Sequence, residues 1–205
     1  KTVIEMNPVI IRFLYEQNKA VADGTIEHNY PNCWRCKRPL IYKAMDAWYF
    51  NIDMLKDRLI ETNEQINWIP ETVKHGRFGQ WLQNARDWNI SRNRYWSTPI
   101  PIWECECCGK REVLGSVAEI EAKSGIRLTD LHRQYMDLVT FPCECGHTMR
   151  RVPEVLDCWF ESGSVTFAQK HYPFENKELF ETHFPCDFIV EYTGQIRCWF
   201  YYMHV

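Results

Sequence analysis

Two tight cysteine groups, Cys105-Glu106-Cys107-Cys108 and Cys143-Glu144-Cys145, constrain this chain more than any other feature of its sequence. Thiolates two or three residues apart can both be presented by one tight turn, and two such turns complete the tetrahedral, all-sulfur set that structural zinc prefers. Glycine follows each pair, at Gly109 and Gly146, where the chain must turn sharply. Cys105, Cys108, Cys143 and Cys145 are therefore the expected Zn2+ ligands. Cys107 is a spare thiol beside the first pair, His147 is an alternative to Cys143 or Cys145, and four free buried thiols are the plainer reading. A third pair, Cys33/Cys36, sits in a proline-bounded run (PNCWRCKRP) and is half a site: its two partners lie elsewhere, or it is an unmetallated turn.

The chain has 205 residues and ten cysteines, with no apolar run following Lys1 that could act as an export signal, which favours metal over disulfides. No apolar stretch approaches the roughly 20 residues needed to cross a bilayer, so a cytoplasmic protein with no membrane partner is expected. At 45% hydrophobic and 15% aromatic residues the chain can bury a core, and its net charge of -3 gives no global attraction to phosphate. An RNA partner would need a local basic patch. Lys1 is not an initiator Met, and Val205 ends an aromatic run without a polar tail, so the sequence reads as a segment of something longer.

Local signals give a coarse map. Asn7-Pro8 reads as a helix start that Gly24 closes. Leu40 to Asp53 suits a strand, while Met54 to Ile66 and Arg77 to Trp88 have helical spacing. Ser116 with Glu119 forms a capping box for a short helix ended by Gly125. Glu154 to Phe160 is a short apolar segment turned by Gly163. Asp187 to Tyr192 alternates as a strand, Gly194 breaks it, and a helix near Gln195 would put Gln195 and Trp199 on one face. A strand, a glycine turn and a helix make the corner at which open α/β sheets bind nucleotides.

Four runs carry a resemblance. Asp87 to Trp103 (DWNISRNRYWSTPIPIW) is similar to the W-x-I-S-R-x-R-Y-W-G-x-P-I-P signature of class I tRNA synthetases for branched aliphatic amino acids. Asp157 to Ser164 (DCWFESGS) resembles their D-V-W-F-D-S-G-S, and Glu191 to Phe200 (EYTGQIRCWF) their E-G-x-D-Q-x-R-G-W-F. His28 to Lys43 (HNYPNCWRCKRPLIYK) resembles H-x-Y-P-H-C-W-R-C-K-x-P-L-I-Y-R, and this run with the CxxC-then-CxC order favours the isoleucine branch over the valine and leucine branches. The chain departs from the patterns at Tyr192, Gly194, Cys198 and Ser97.

The resemblance implies an α/β fold: the second half of a split Rossmann-type catalytic domain carrying a zinc-ribbon-like connective insertion. It implies the end of an editing insertion at 1–25, a return into the catalytic domain at 26–104, the zinc-binding insertion at 105–150 and the second Rossmann half at 151–205. It implies that Trp159 and Trp199 wall an aliphatic side chain while Glu191 and Gln195 hold the polar part of an aminoacyl-adenylate, although a Trp is commonly plain core and Glu191 could be a surface carboxylate. Arg92 and Arg94 would contact tRNA or hold the insertion, the alternative being salt bridges with residues such as Asp87. The implied partners are isoleucine, ATP with Mg2+ and tRNA(Ile), in a monomeric full-length enzyme. The family's H-I-G-H and K-M-S-K-S motifs are absent, so this chain alone is expected to be inactive. A valine enzyme and a free-standing zinc-ribbon module that binds RNA or protein are the rival readings.

Overall fold

The computed structural model describes residues 2–205, in two compact units that divide between Asp46 and Ala47. The expected segment 26–104 is thus shared between them.

In the first unit, helix α1 (Val3–Glu16) starts five residues earlier than Asn7-Pro8 suggested. Thr2 and Glu5 form a reciprocal capping box there, so Pro8 lies inside the helix, where it leaves the Ile4 carbonyl without its usual donor. The helix ends at Glu16, and Asn18 takes the left-handed conformation (φ 51°) that Gly24 was expected to supply. Cys33 and Cys36 lie in a turn in which the Cys33 N–H donates to the Arg38 carbonyl at 2.8 Å. Residues 40 to 46 are irregular, so the expected strand shrinks to Tyr49–Phe50 in the second unit. Period-two alternation specifies which faces a strand would have, and only a neighbouring edge makes the strand.

The second unit has two apolar cores. Strand β1 (Tyr49–Phe50), helix α2 (Lys56–Glu64), a π-type turn (Lys74–Phe78), helix α3 (Gly79–Gln83), strand β2 (Trp88–Asn89) and strand β3 (Ser91–Arg92) surround the first. Leu59, Phe78, Leu82 and Ala85 are buried there, as their helical spacing requires. The chain then leaves this core to build a four-stranded antiparallel sheet. Strands β4 (Ile102–Cys105) and β5 (Arg111–Val113) form one hairpin. Helix α4 (Val117–Ser124) follows and ends at Gly125 (φ 70°) as expected, but only half of the expected capping box forms. The Ser116 hydroxyl accepts from the Glu119 N–H, while the Glu119 carboxylate accepts from the Gly115 N–H at 2.7 Å instead of from Ser116. Helix α5 (Arg133–Met136) leads to the second hairpin, β6 (Thr140–Pro142) and β7 (Thr148–Arg151). The strand order is β5-β4-β7-β6. Trp103, Leu114, Ile120, Met136, Val139, Phe141 and Met149 form this sheet's own core, and Trp103 donates its indole N–H to the Val139 carbonyl at 2.8 Å.

The chain re-enters the first core through β8 (Val155–Leu156), paired with β3, and helix α6 (Cys158–Ala168). Gly163 does not turn the chain; it lies inside α6, where α8 (Trp199–His204) crosses closely. Helix α7 (Lys177–His183) comes between them in sequence. Asp187 to Tyr192 is irregular and exposed rather than a strand, because no described segment offers it an edge. The expected helix near Gln195 is broken: a 3-10 turn (Thr193–Arg197) and α8 meet at Cys198 (φ -124°, ψ -112°). Every strand pair among the described residues is antiparallel. The chain is a mixed α/β fold with small sheets. None of its described helices is long and apolar enough to cross a membrane.

A Cβ placed on Gly163 would lie 2.7 Å from the Tyr202 carbonyl oxygen, a backbone atom that can move only with α8. Alanine in place of a mid-helix glycine gains about 1 kcal/mol of helix propensity, while overpacking of this kind costs about 1–3 kcal/mol. Steric cost wins. Gly163→Ala should therefore lower the urea midpoint by the equivalent of about 1–2 kcal/mol, and an unchanged or raised midpoint would refute the tight α6–α8 crossing.

Candidate functional site

The two hairpin turns of the four-stranded sheet face each other because β4 and β7 are antiparallel, with Cys105 opposite Met149. The β4–β5 turn follows Cys105 and the β6–β7 turn ends just before Thr148, so both lie at one end of the sheet. Gly109 (φ 70°) donates its N–H to the Cys105 carbonyl, and Gly146 (φ 82°) donates to the Cys143 carbonyl, each at 2.9 Å. These turns aim four sulfurs at one point. Cys105 and Cys145 sulfurs are 3.5 Å apart, Cys108 and Cys143 sulfurs 3.6 Å, and all four lie within 4.8 Å of one another.

A tetrahedron of zinc–sulfur bonds near 2.3 Å has sulfur–sulfur edges of about 3.8 Å, so the set fits a tetrahedral ion. Its electrostatics agree. The Cys108 backbone N–H chiefly draws the Cys105 thiol down to about 6 against the effect of burial. In Cys108, Cys143 and Cys145 the backbone N–H groups of Lys110, Cys145 and His147 respectively pull downward, but burial and neighbouring sulfurs together hold each thiol above its ordinary value. A divalent ion bound by these sulfurs would expel the protons of its thiol ligands. Cys33 and Cys36, by contrast, have no third metal-ligating side chain with them among the described residues.

The other predicted residues divide between two places. Arg92 is joined to the fold: its Nη2 is 2.9 Å from Asp157 Oδ2, and its Nη1 donates to the Asn89 and Ser91 carbonyls, each at 2.8 Å. Its partner is Asp157 and not Asp87, whose carboxylate accepts instead from the Ile52 N–H at 2.9 Å. Arg94 lines an open cleft of about 750 Å³ with Trp96, His132, Thr98 and Glu161. Trp96 and His132 stack there with ring centres 4.8 Å apart. Glu161 accepts from the Thr98 N–H at 2.8 Å; burial opposes its ionisation, but the Thr98 and Ser97 hydrogen bonds hold it below the usual carboxylate range.

Trp159 and Trp199 meet the α6–α8 crossing from both helices. The Trp159 ring stacks on Tyr202 at 5.2 Å, and the Trp199 indole N–H donates to the Ser162 carbonyl at 3.0 Å. Gln195 is not on the same α-helix face as Trp199, yet its Oε1 accepts the Trp199 N–H at 3.2 Å, so the two are held together across the break at Cys198. Glu191 is exposed in the irregular stretch, and Tyr192 folds back over Gly194, its ring occupying the space a Cβ would take.

Asp157 was missed as a key residue. Its carboxylate is 3% exposed and takes the Trp88 indole N–H at 3.1 Å as well as Arg92, tying the Asn89–Trp96 run to the Asp157–Ser164 run. An aspartate directly after the apolar pair Val155-Leu156 was the available signal.

The model of class I tRNA synthetases of the I, L, M and V group matches residues 3–205. The chain belongs to that family. It is 52% identical over its whole length to isoleucine–tRNA ligase 2 of Pseudomonas fluorescens, covering 20% of that protein. It is 54% identical to the isoleucine–tRNA ligase of Nocardia farcinica, over 99% of this chain and 20% of that one. The corresponding ligase of Treponema denticola is 52% identical over 94% of this chain and 18% of its own length. The chain thus spans about a fifth of the length of these relatives.

If the sulfur cluster is a metal site, the purified protein should carry one zinc per chain in that cluster, and Cys143→Ser should lose it on dialysis against a mild chelator. Because thiol ligands must give up their protons to bind the ion, affinity should fall as pH is lowered. A pH-independent affinity, or full retention by Cys143→Ser, would contradict the assignment.

Proposed function

We propose that this synthetase chain is part of an isoleucine–tRNA ligase that activates isoleucine with ATP and Mg2+ and charges tRNA(Ile). The observation that carries this reading is near-constant identity, 52–54%, to ligases of that name along almost the entire chain. Neither a valine enzyme nor a free-standing zinc module is favoured by those relatives. In this reading residues 151–205 contribute to the second half of a split Rossmann domain, 105–150 are a zinc-ribbon insertion and 1–25 end an editing insertion.

The chemistry is positioning and charge stabilisation, with no covalent nucleophile in the protein. Trp159 and Trp199, both half-buried at the α6–α8 crossing, supply apolar surface for the isoleucine side chain. Gln195, already oriented by the Trp199 N–H, and Glu191 hold the polar part of the adenylate. Apolar walls gain only about 1–3 kcal/mol per methylene, so they separate isoleucine from valine weakly. Arg94, beside the Trp96–His132 stack, offers charge and a flat surface to tRNA, the combination that unpaired nucleotides favour.

The test is isoleucine-dependent exchange of pyrophosphate into ATP by the intact protein. Exchange should be strong with isoleucine and weaker with valine, while the 205-residue chain alone should give none. Trp159→Ala in the intact protein should lower kcat/KM for isoleucine by about 10–100-fold, the loss of much of a buried side chain's transfer energy. Valine preference would overturn the amino-acid assignment, and unchanged kcat/KM would remove Trp159 from the pocket.

A further inference from the structure

A second group of metal-ligating side chains touches the four-sulfur cluster. The ligating atoms of Cys107, Cys145 and His147 lie within 4.8 Å of one another, and all three residues are exposed. His147 Nδ1 is 3.6 Å from the Cys145 sulfur. Cys145 thus belongs to both sets. Within the four-sulfur set Cys105 and Cys143 are buried while Cys108 and Cys145 are exposed, so an ion reaches or leaves the cluster past the exposed pair. Cys107 and His147 stand on that side.

We propose that Cys107 and His147, with the shared Cys145, form an exposed transfer site through which Zn2+ enters and leaves the closed four-sulfur site. The proposal rests on the four-sulfur reading given above. Zinc has no geometric preference from its d electrons and accepts an additional donor readily. A closed tetrahedral site releases its ion slowly if one thiolate must depart before anything replaces it. A soft donor already beside the departing ligand removes that requirement.

The exchange balances without a redox step. To bind the ion, the Cys107 thiol would give its proton to water and His147 would offer the lone pair of a ring nitrogen, leaving its 3.3 Å contact with the Cys145 carbonyl if that nitrogen is Nδ1. The ion remains Zn2+ throughout. Each bond made to Cys107 or His147 accompanies one broken to a sulfur of the closed set, and an external chelator finally takes the ion from the exposed side. Backbone geometry keeps the donors in place: the His147 carbonyl accepts the Cys143 N–H at 2.7 Å, and Cys107 is fixed in the turn closed by Gly109.

The experiment loads the full protein with zinc and follows transfer to the chromogenic chelator 4-(2-pyridylazo)resorcinol at neutral pH by stopped flow. Cys107→Ser, His147→Gln and the double variant are compared with the unaltered protein, and zinc content is measured for each. The expected result is one zinc in all four proteins and transfer slowed on the order of tenfold in the double variant, the scale at which groups around a metal site usually act. Equal rates at equal zinc content would overturn the transfer site and leave the four-sulfur site standing. Loss of zinc from the double variant would also overturn it, by making Cys107 or His147 a resident ligand. Zinc absent from the unaltered protein would defeat both readings at once.

Discussion

A buried carboxylate holds the second unit together. Asp157 is 3% exposed, and an ionised carboxylate at such depth needs a charged or hydrogen-bonding partner on every accessible side. Arg92 and the Trp88 indole supply them, and the Asp157 N–H donates to the Ile90 carbonyl at 2.7 Å. These contacts join two runs that are far apart in sequence, through the short ladder of Ser91–Arg92 with Val155–Leu156. Everything between them can leave the first core as a separate sheet because its two ends are fixed side by side.

That arrangement explains why the inserted sheet needs its own anchoring. It has a small apolar core around Trp103, and Arg151 ties its base: the guanidinium donates to Asp137 Oδ1 and, at 2.8 Å, to the Glu154 carbonyl. The far end has only the two hairpin turns and their sulfurs. An ion shared by both turns would close that end much as the Arg92–Asp157 pair closes the other. The α6–α8 crossing, which carries Trp159 and Trp199, is built on the first core and not on the four-stranded sheet, so these tryptophans and the sulfur cluster are supported separately.

The sequence was most legible where a local rule suffices. The Ser116–Glu119–Gly125 helix and both cysteine turns are local chemistry, and they are found where expected. The family runs were legible as patterns without their contacts: Arg92 pairs with Asp157 rather than the nearby Asp87, because burial and strand pairing outweigh sequence proximity. Gly163 was misread for a related reason, since only the crossing of α8 explains a glycine inside α6. Asp187–Tyr192 has strand alternation without a neighbour to pair with, and Gln195 and Trp199 keep their association through a hydrogen bond across a broken helix. Long-range partners decided each of these.

The central claim is that four thiolates from the two turns bind a single zinc and hold the insertion in shape. X-ray absorption at the zinc edge of the purified protein tests it directly. The account predicts a first shell of four sulfur scatterers at about 2.3 Å with no nitrogen or oxygen. A mixed shell with nitrogen near about 2.0 Å would place His147 among the resident ligands and contradict the four-sulfur centre.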